Sequence, residues 1–560
     1  MIMKNIKNLL LNNTFSIFIL FLLLIIPLFD LFHPGLPVTH DGQDHVARIA
    51  NFYQNLQEGN VIPRWAASLN WGYGHPILMF LYPLPSYSAS LFHFLGFSFV
   101  DSVKIVFGLS FILSGLTMFL WLRSLFPSTV AVIGSLLYTF VPYRFVDLYV
   151  RGAIGEHVAF IFPPLVLYFL YKLSKKYSYW YLVGGAFSVG GLILAHNAIS
   201  LMFLPIIVLY VIYLAWKIGW QKKFILYASL IIVLGFGLAA FFWAPAFFEG
   251  KYTLRDIVTG PEALSRFLPF SDFIYGPWSY GGTGQFTAQI GILHWVLILF
   301  SIPLGIHLFK KKNKEWIIIF VLLIIFAFTL YLMTASSKPI WQTITTLQKF
   351  QFPWRFLSLT VFLSAVIGSF VVNFLLNLKI LKSSNRKIYV AVLFIFIVLF
   401  LNKNYWHAKD YLYKNENFYS GIYLSTTDTG ESSPIWSVRF MENLPKAHIE
   451  VLEGEANIKE NYRSSTNHSY SILATSKAKF RENTLYFPGW KVFVDGKESP
   501  IEFQDYNNRG LMTFWVEKGE HGVGIRFEET KLRIFANLIS IMSLLAVFSL
   551  GILSKKIWRR

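Results

Sequence analysis

The chain has 560 residues, 55% hydrophobic and only 14% charged, with a formal net charge of +19 and no cysteine. Soluble domains carry roughly 25% charged residues, so the composition excludes an ordinary soluble enzyme, and the missing cysteines exclude disulfides and thiolate metal sites. The positive charge does not imply a nucleic-acid partner: Lys and Arg gather in short stretches between apolar runs, the pattern of cytoplasmic loops in a polytopic membrane protein.

A spanning helix needs about 20 apolar residues. The first is expected at 13–33, preceded by Lys4 and Lys7 and without a small-residue cleavage site, as in a retained anchor with its N-terminus inside. Residues 34–102 then form an exterior loop. Within it, Asp41, Asp44, His45 and Arg48 follow at i, i+3, i+4 and i+7. They share one face of a helix starting near Asp41, beside an apolar stripe of Val46, Ile49, Tyr53 and Leu56. This is an amphipathic helix for a membrane surface. A merely solvated face is the alternative, but such faces are usually Lys and Glu. The run 77–97 is broken by Pro83 and Pro85 and is expected to be juxtamembrane or re-entrant rather than spanning.

Further spans are expected at 103–125, 129–146, 158–173, 179–196, a sixth ending at Lys217, 224–247, 290–309, 316–334, a tenth ending near Lys379, and 388–402. The twelfth, 533–553, returns the chain inside to Lys555, Lys556, Arg559 and Arg560. Every basic cluster then falls inside, including Lys310 to Lys312 and Lys379, Lys382, Arg386 and Lys387. Between the last two spans, 403–530 reads as strands. Asp495-Gly496 is a hairpin signal, and Lys518-Gly519-Glu520 sits between two strand-like runs in the same manner. The expected architecture is mainly α: a transmembrane domain over 1–402, an exterior β-rich domain over 403–530 built as a small β-sandwich, and a last helix with a basic cytoplasmic tail over 531–560.

This topology brings the polar constellations to one side. The first loop supplies Asp41, Asp44, His45, Arg48 and Arg64; the second, Arg144, Asp147 and Arg151 at i, i+3 and i+7, with Gly152 and Gly155 allowing a break before Glu156. His196 ends the fifth span, a Gly-rich stretch runs from Tyr280 to Gly284, and Arg355 opens the tenth span. Ionisable groups at membrane depth are costly and mark function by default, although ion pairs such as Asp147 with Arg151 would also tie loops to the bundle. Arginines clamp a lipid phosphate by paired hydrogen bonds. A carboxylate beside them serves as general base, or holds a divalent ion against the leaving phosphate.

At these residues the chain resembles the GT-C class of membrane glycosyltransferases, and among them the bacterial membrane proteins labelled 6-pyruvoyl-tetrahydropterin-synthase-related. The resemblance rests on Asp41 with His45 and Arg48-Ile49, then Glu58-Gly59-Asn60 and Pro63-Arg64. It continues through Pro142-Tyr143-Arg144, Asp147 to Ala153 with Glu156, Gln351 to Arg355, and Tyr486-Phe487-Pro488-Gly489-Trp490. It implies a GT-C-like fold of about twelve spans. The implied reaction is transfer of a sugar, with inversion, from a polyprenyl-phosphate-linked donor to a glycan, lipid or protein acceptor of the envelope, at the outer face of the bacterial plasma membrane. It also implies Asp41 as base and Asp147 or Glu156 as second acid. The doubled acids and histidines (His40, Asp41, Asp44, His45) depart from the usual paired-acid pattern. Asp44 therefore stays a candidate base, and Asp41, Asp44 and His45 candidate ligands of a divalent metal. His45, Arg48, Arg64, Arg144, Arg151, His196 and Arg355 are the expected substrate-binding residues. A transporter or flippase of lipid-linked saccharides, or a non-catalytic envelope assembly protein, are the competing functions. A transporter should show internal repeats and midplane polar residues, which the nearly charge-free spans lack.

Overall fold

The computed structural model describes residues 13–282, 285–381 and 383–557. Lys4, Lys7, Thr283, Gly284, Lys382, Arg559 and Arg560 lie outside the described residues, as do the side chains of Lys555 and Lys556. Among the described residues, apolar helices occupy each of the twelve stretches expected to span. Nine are long and apolar enough to cross a membrane, from Asn13–Phe32 to Lys531–Leu550. Two further positions are bent pairs, Ser128–Thr139 with Pro142–Arg151 at 54° and Lys222–Leu238 with Ala240–Tyr252 at 69°, and Tyr179–Ala195 is shorter. The first bend falls where it should: Pro142 lacks an amide hydrogen and drives the preceding residue out of helical geometry, and Val141 is extended.

The expected first-loop elements form. Residues 77–97 give two short helices, Ile77–Phe80 and Leu84–Phe94, parted near Pro83. The helix expected at 103–125 starts earlier, at Phe99, because the Ser98 hydroxyl caps it by accepting from the Asp101 amide.

The β-rich segment differs from its expected extent. Its sheets run from Ile449 to Phe527, whereas 403–448 holds only the strand Tyr411–Leu412 and the helix Glu416–Ser420. With Leu36–Pro37 as β1, Tyr411–Leu412 is β2 and pairs antiparallel with it, so residues 403–448 are stitched onto the first loop. The strands that follow are β3 (Ile449–Glu453), β4 (Ala456–Arg463), β5 (Asn467–Ala474), β6 (Ala478–Leu485), β7 (Trp490–Val494), β8 (Lys497–Ser499), β9 (Leu511–Val516) and β10 (Gly519–Phe527). They form a five-stranded sheet in the order β4-β5-β10-β7-β8 and a three-stranded sheet in the order β3-β6-β9.

Asp495-Gly496 makes the expected tight hairpin, with Val494 opposite Lys497 and positive φ at both turn residues. The second expected hairpin does not form. β9 pairs with β6 and β10 with β5 and β7, so Glu517-Lys518 carries the chain from one sheet to the other. Local turn chemistry specifies a reversal but not which sheet receives the next strand.

Candidate functional site

The Gly42–Gln57 helix starts where the sequence places it. Its entry is fixed by backbone. Thr39 Oγ1 accepts from the Gly42 amide at 3.1 Å, and the amides of His40 and Asp41 donate to the carbonyls of Val150 and Arg151, both at 2.9 Å. Asp41 holds the N-cap position, yet its side chain makes no capping bond. Half-buried at a helix N-terminus, where the backbone dipole favours negative charge, the carboxylate has no hydrogen bond or ion pair among the described residues.

The rest of that helix face is engaged and buried rather than solvated. Asp44 accepts a 2.9 Å bond from the Tyr423 hydroxyl, and burial, partly offset by Arg48, pushes its carboxyl above the ordinary value. His45 faces Arg48 through Nδ1 at 3.1 Å, and burial, then the guanidiniums of Arg48 and Arg151, hold its ring well below the usual value and so neutral. Arg48 Nε donates to Thr427 Oγ1 at 2.8 Å and its Nη2 to the Thr427 carbonyl. No three His, Asp or Glu side chains converge as a metal site among the described residues. Asp44 and His45 are turned to Tyr423 and Arg48, so the expected ligand set does not fit a divalent metal.

The second loop corrects one expectation and keeps another. Pro142–Phe145 is a single α-turn, followed by a π-helical turn over Val146–Arg151. The wider π turn rotates Arg144 off the face of Asp147 and Arg151. Arg144 is fully buried, with its guanidinium 3.9 Å from the Phe160 ring centroid and one bond to Ser114 Oγ at 3.1 Å. The other two stay together: Arg151 Nη1 lies 2.6 Å from Asp147 Oδ1. The chain then breaks at Gly152, whose φ is +69°. A Cβ there would lie 2.3 Å from Thr39 Oγ1, so only glycine lets the second loop touch the first.

Past the break, Glu156 turns back into the cluster. Its Oε1 accepts from Arg151 Nη2 at 2.9 Å and Arg355 Nε at 3.3 Å, and its Oε2 from the Tyr143 hydroxyl at 2.8 Å. Arg151 stacks over Trp354 at 4.4 Å. Arg355 also donates through Nη1 to the Phe350 carbonyl at 2.8 Å; its Nη2 has no bond among the described residues, and the side chain is 16% exposed. His196 stacks on Tyr82, whose ring packs against Gly155 beside Glu156.

Arg64 lies elsewhere. It donates to Glu529 Oε1, the Phe241 carbonyl and Asn537 Oδ1, tying the first loop to the last helix. Next to it Arg533 pairs with Glu249 at 2.8 Å. This is a structural tether.

Sequence reasoning missed the loop Ser425–Ser433, which covers the first-loop helix. Besides Thr427, it supplies Asp428, which lies 3.5 Å from His75 Nε2 and accepts the amides of Gly430 and Ser432. Glu431 accepts from the Thr429 hydroxyl at 2.6 Å. Gln351 reaches Thr429 Oγ1 at 3.5 Å and Glu262 Oε2 at 2.7 Å. The available signal was the run Ser-Thr-Thr-Asp-Thr-Gly-Glu-Ser-Ser, short polar residues that bond backbone locally rather than forming strands.

A family model described as the 6-pyruvoyl-tetrahydropterin synthase related domain, membrane protein, matches residues 78–408. A Lactococcus lactis subsp. cremoris protein described as "Uncharacterized protein" is 26% identical over 321 residues, which is 55% of this chain and 52% of that relative, so the chain spans about half of the relative's length. Two structures of the Archaeoglobus fulgidus oligosaccharyltransferase are also similar. The apo form is 14% identical, covers 73% of this chain and 56% of its own, and has a TM-score of 0.46. The form tethered to an acceptor peptide is 14% identical over 73% and 55%, with a TM-score of 0.39. With the family model matched over more than half its length, the chain belongs to the 6-pyruvoyl-tetrahydropterin synthase related family of membrane proteins.

Proposed function

We propose that this chain is a membrane glycosyltransferase that moves a sugar from a polyprenyl-phosphate donor to a cell-envelope acceptor, at the outer face of the plasma membrane, with both termini and the lysine-rich loops cytoplasmic. The observation that carries the reading is the unequal use of the acids. Asp147 and Glu156 are consumed by Arg151 and Arg355, and Asp44 by Tyr423, whereas the Asp41 carboxylate stands without a partner among the described residues. A general base must be free to accept a proton.

In the reaction, the acceptor oxygen attacks the anomeric carbon while Asp41 takes its proton. The bond from that carbon to the phosphate oxygen breaks on the opposite face, so the configuration inverts. The departing phosphate keeps the electron pair and is held by the free Nη2 of Arg355, which Glu156 and the Phe350 carbonyl orient. Asp147 and Glu156 act as positioning residues through the two arginines. The β-rich segment modulates or recognises the acceptor rather than performing catalysis, since its charged residues, such as Lys491 with Glu498 and Lys477 with Glu517, are exposed pairs.

The test is transfer of a labelled sugar from its polyprenyl phosphate to a cell-envelope acceptor fraction by the purified protein, with release of polyprenyl phosphate. Asp41→Asn keeps the shape and removes the base, so turnover falls by about 100-fold or more, with donor binding retained. Normal turnover in Asp41→Asn together with inactive Asp44→Asn moves the role to Asp44. Normal turnover in both removes the first loop from the chemistry. Orientation is read separately: an impermeant thiol reagent labels Ser499→Cys but not Lys312→Cys in intact cells.

A further inference from the structure

A large cavity lies away from this site, in the other half of the bundle. It measures about 740 Å³ and is walled by the helices that carry Trp121, Ile206 to Lys217, Glu315 to Ile325, and Phe362 to Phe370. The placement follows from the helices themselves. Arg355 lies two residues before the Leu357–Leu376 helix, and the cavity touches that helix only from Phe362 onward. It likewise reaches the basic end of Asn197–Lys217 and the first half of Glu315–Met333. From Glu315 to Ile325 it runs ten residues, about 15 Å at 1.5 Å per residue, half of a hydrocarbon core of about 30 Å. It has the depth of one leaflet.

Its mouth is cationic and aromatic. Lys217 donates to the Tyr213 hydroxyl at 3.3 Å, and Lys314 lies 5.8 Å from the Trp216 ring. Neither pairs with a carboxylate among the described residues. The one acid at the mouth, Glu315, accepts from Asn313 at 3.4 Å. Deeper in, Trp121 stacks on Phe362 at 5.5 Å and spends its N–H on the Tyr210 hydroxyl, so the wall offers apolar surface. Aromatic side chains and lysines are the groups that membranes place at the headgroup level.

We propose that this cavity is a binding site for one anionic phospholipid of the leaflet on the basic side, with an acyl chain along the Trp121–Phe362 wall and the phosphate between Lys217 and Lys314. A polyprenyl phosphate or a second copy of the chain are the other occupants to be tested. This site is independent of the sugar-transfer reading, because none of its residues touches Asp41, Glu156 or Arg355.

The full chain, reconstituted in discs of equal phosphatidylglycerol and phosphatidylcholine with a minor fraction of polyprenyl phosphate, is ejected into a mass spectrometer. One phosphatidylglycerol should remain bound per chain. Lys217→Gln and Lys314→Gln should each cut the preference for phosphatidylglycerol about fivefold, since a lysine near an anionic headgroup is worth about one factor of that size. Both sites are at the surface and leave folding intact. Val366→Trp, which fills the cavity, should remove the lipid with the thermal midpoint kept. Retention of the two phospholipids in their bulk ratio, an unchanged preference in the double lysine variant, retention of polyprenyl phosphate instead, or a lipid-free dimer would each overturn the proposal.

Discussion

Two buried glutamates show how differently one chain uses the same chemistry. Glu482, between the two sheets, is fully buried and both of its carboxylate oxygens are engaged. Arg463 donates to it at 2.8 Å, Tyr470 at 2.9 Å and Thr484 at 3.1 Å, with the His468 ring nitrogen 2.9 Å away. Glu156 is equally buried, but its surroundings are not closed. Among the described residues, Asp147 Oδ2 and a ring nitrogen each of His40 and His45 are buried without a partner, and neither Arg355 Nη2 nor the Asp41 carboxylate makes a hydrogen bond. Buried polar groups are nearly always satisfied. The Glu482 node is a fastening; the Glu156 cluster leaves donors and acceptors available, as the proposed donor site requires.

Removing Glu482 should therefore cost the most in stability and nothing in chemistry. Glu482→Gln leaves the half-buried Arg463 without its counter-charge, and the loss should be about 3 kcal/mol in denaturant unfolding of the full chain, with turnover per folded molecule unchanged. Burial pushes the Glu482 carboxyl up, but His468 and Arg463 outweigh it and bring it down to about 2 from 4.5. A depressed folded value gives stability that is present above pH 4.5 and lost as pH falls from there toward 2. The variant should lack that acid-dependent loss. Lost turnover in folded Glu482→Gln would dissolve the contrast between the two nodes.

The opposite signature is expected at Arg355. Arg355→Ala removes a charged donor from an open cluster, where a bond to a charged group is worth about 1.5–3 kcal/mol. Donor affinity should fall by roughly tenfold to a hundredfold, read by titrating turnover against donor, while unfolding moves little. Arg64→Ala sits between these extremes. It frees Glu529 and unties the first loop from the last helix, so it should cost about 1–3 kcal/mol and leave donor affinity unchanged.

The sequence carries the parts of this picture that are local. Twelve apolar runs, the helix start at Asp41, the break at Gly152 and the Asp495-Gly496 turn each depend on residues within one turn or one pleat of each other. What it does not carry is rotation and distance. One π turn after Phe145 sends Arg144 into the bundle, although the 3.6-residue period puts it beside Asp147 and Arg151. Arg64 has the composition of a phosphate ligand and is spent on Glu529, far along the chain. Thr427 reaches Arg48 across 379 positions, and no periodicity in either segment announces it. The lid over the site was hidden because its residues resemble a polar linker.

That lid provides the smallest and most discriminating test. Burial, then the Asp428 carboxylate, push the Glu431 carboxyl up from 4.5 to about 7, against the Thr429 hydroxyl that donates to it and the charge of Arg355. With its folded value raised, the proton on Glu431 stabilises the closed loop fully below pH 4.5, and that contribution is lost as pH rises through about 7. The same change reaches the donor site. Below pH 7 Glu431 is neutral and leaves the Arg355 guanidinium to a phosphate; above it, the ionised carboxylate competes for that group. Donor affinity should therefore fall by a factor of roughly two to five, the worth of a partly exposed ion pair, as pH rises from 6 to 8. Glu431→Gln should flatten the profile at its low-pH level, and Glu482→Gln should leave it untouched. A flat profile in the unmodified chain, or a slope that survives in Glu431→Gln, would detach the Ser425–Ser433 loop from the site and leave it a cover for the first-loop helix alone.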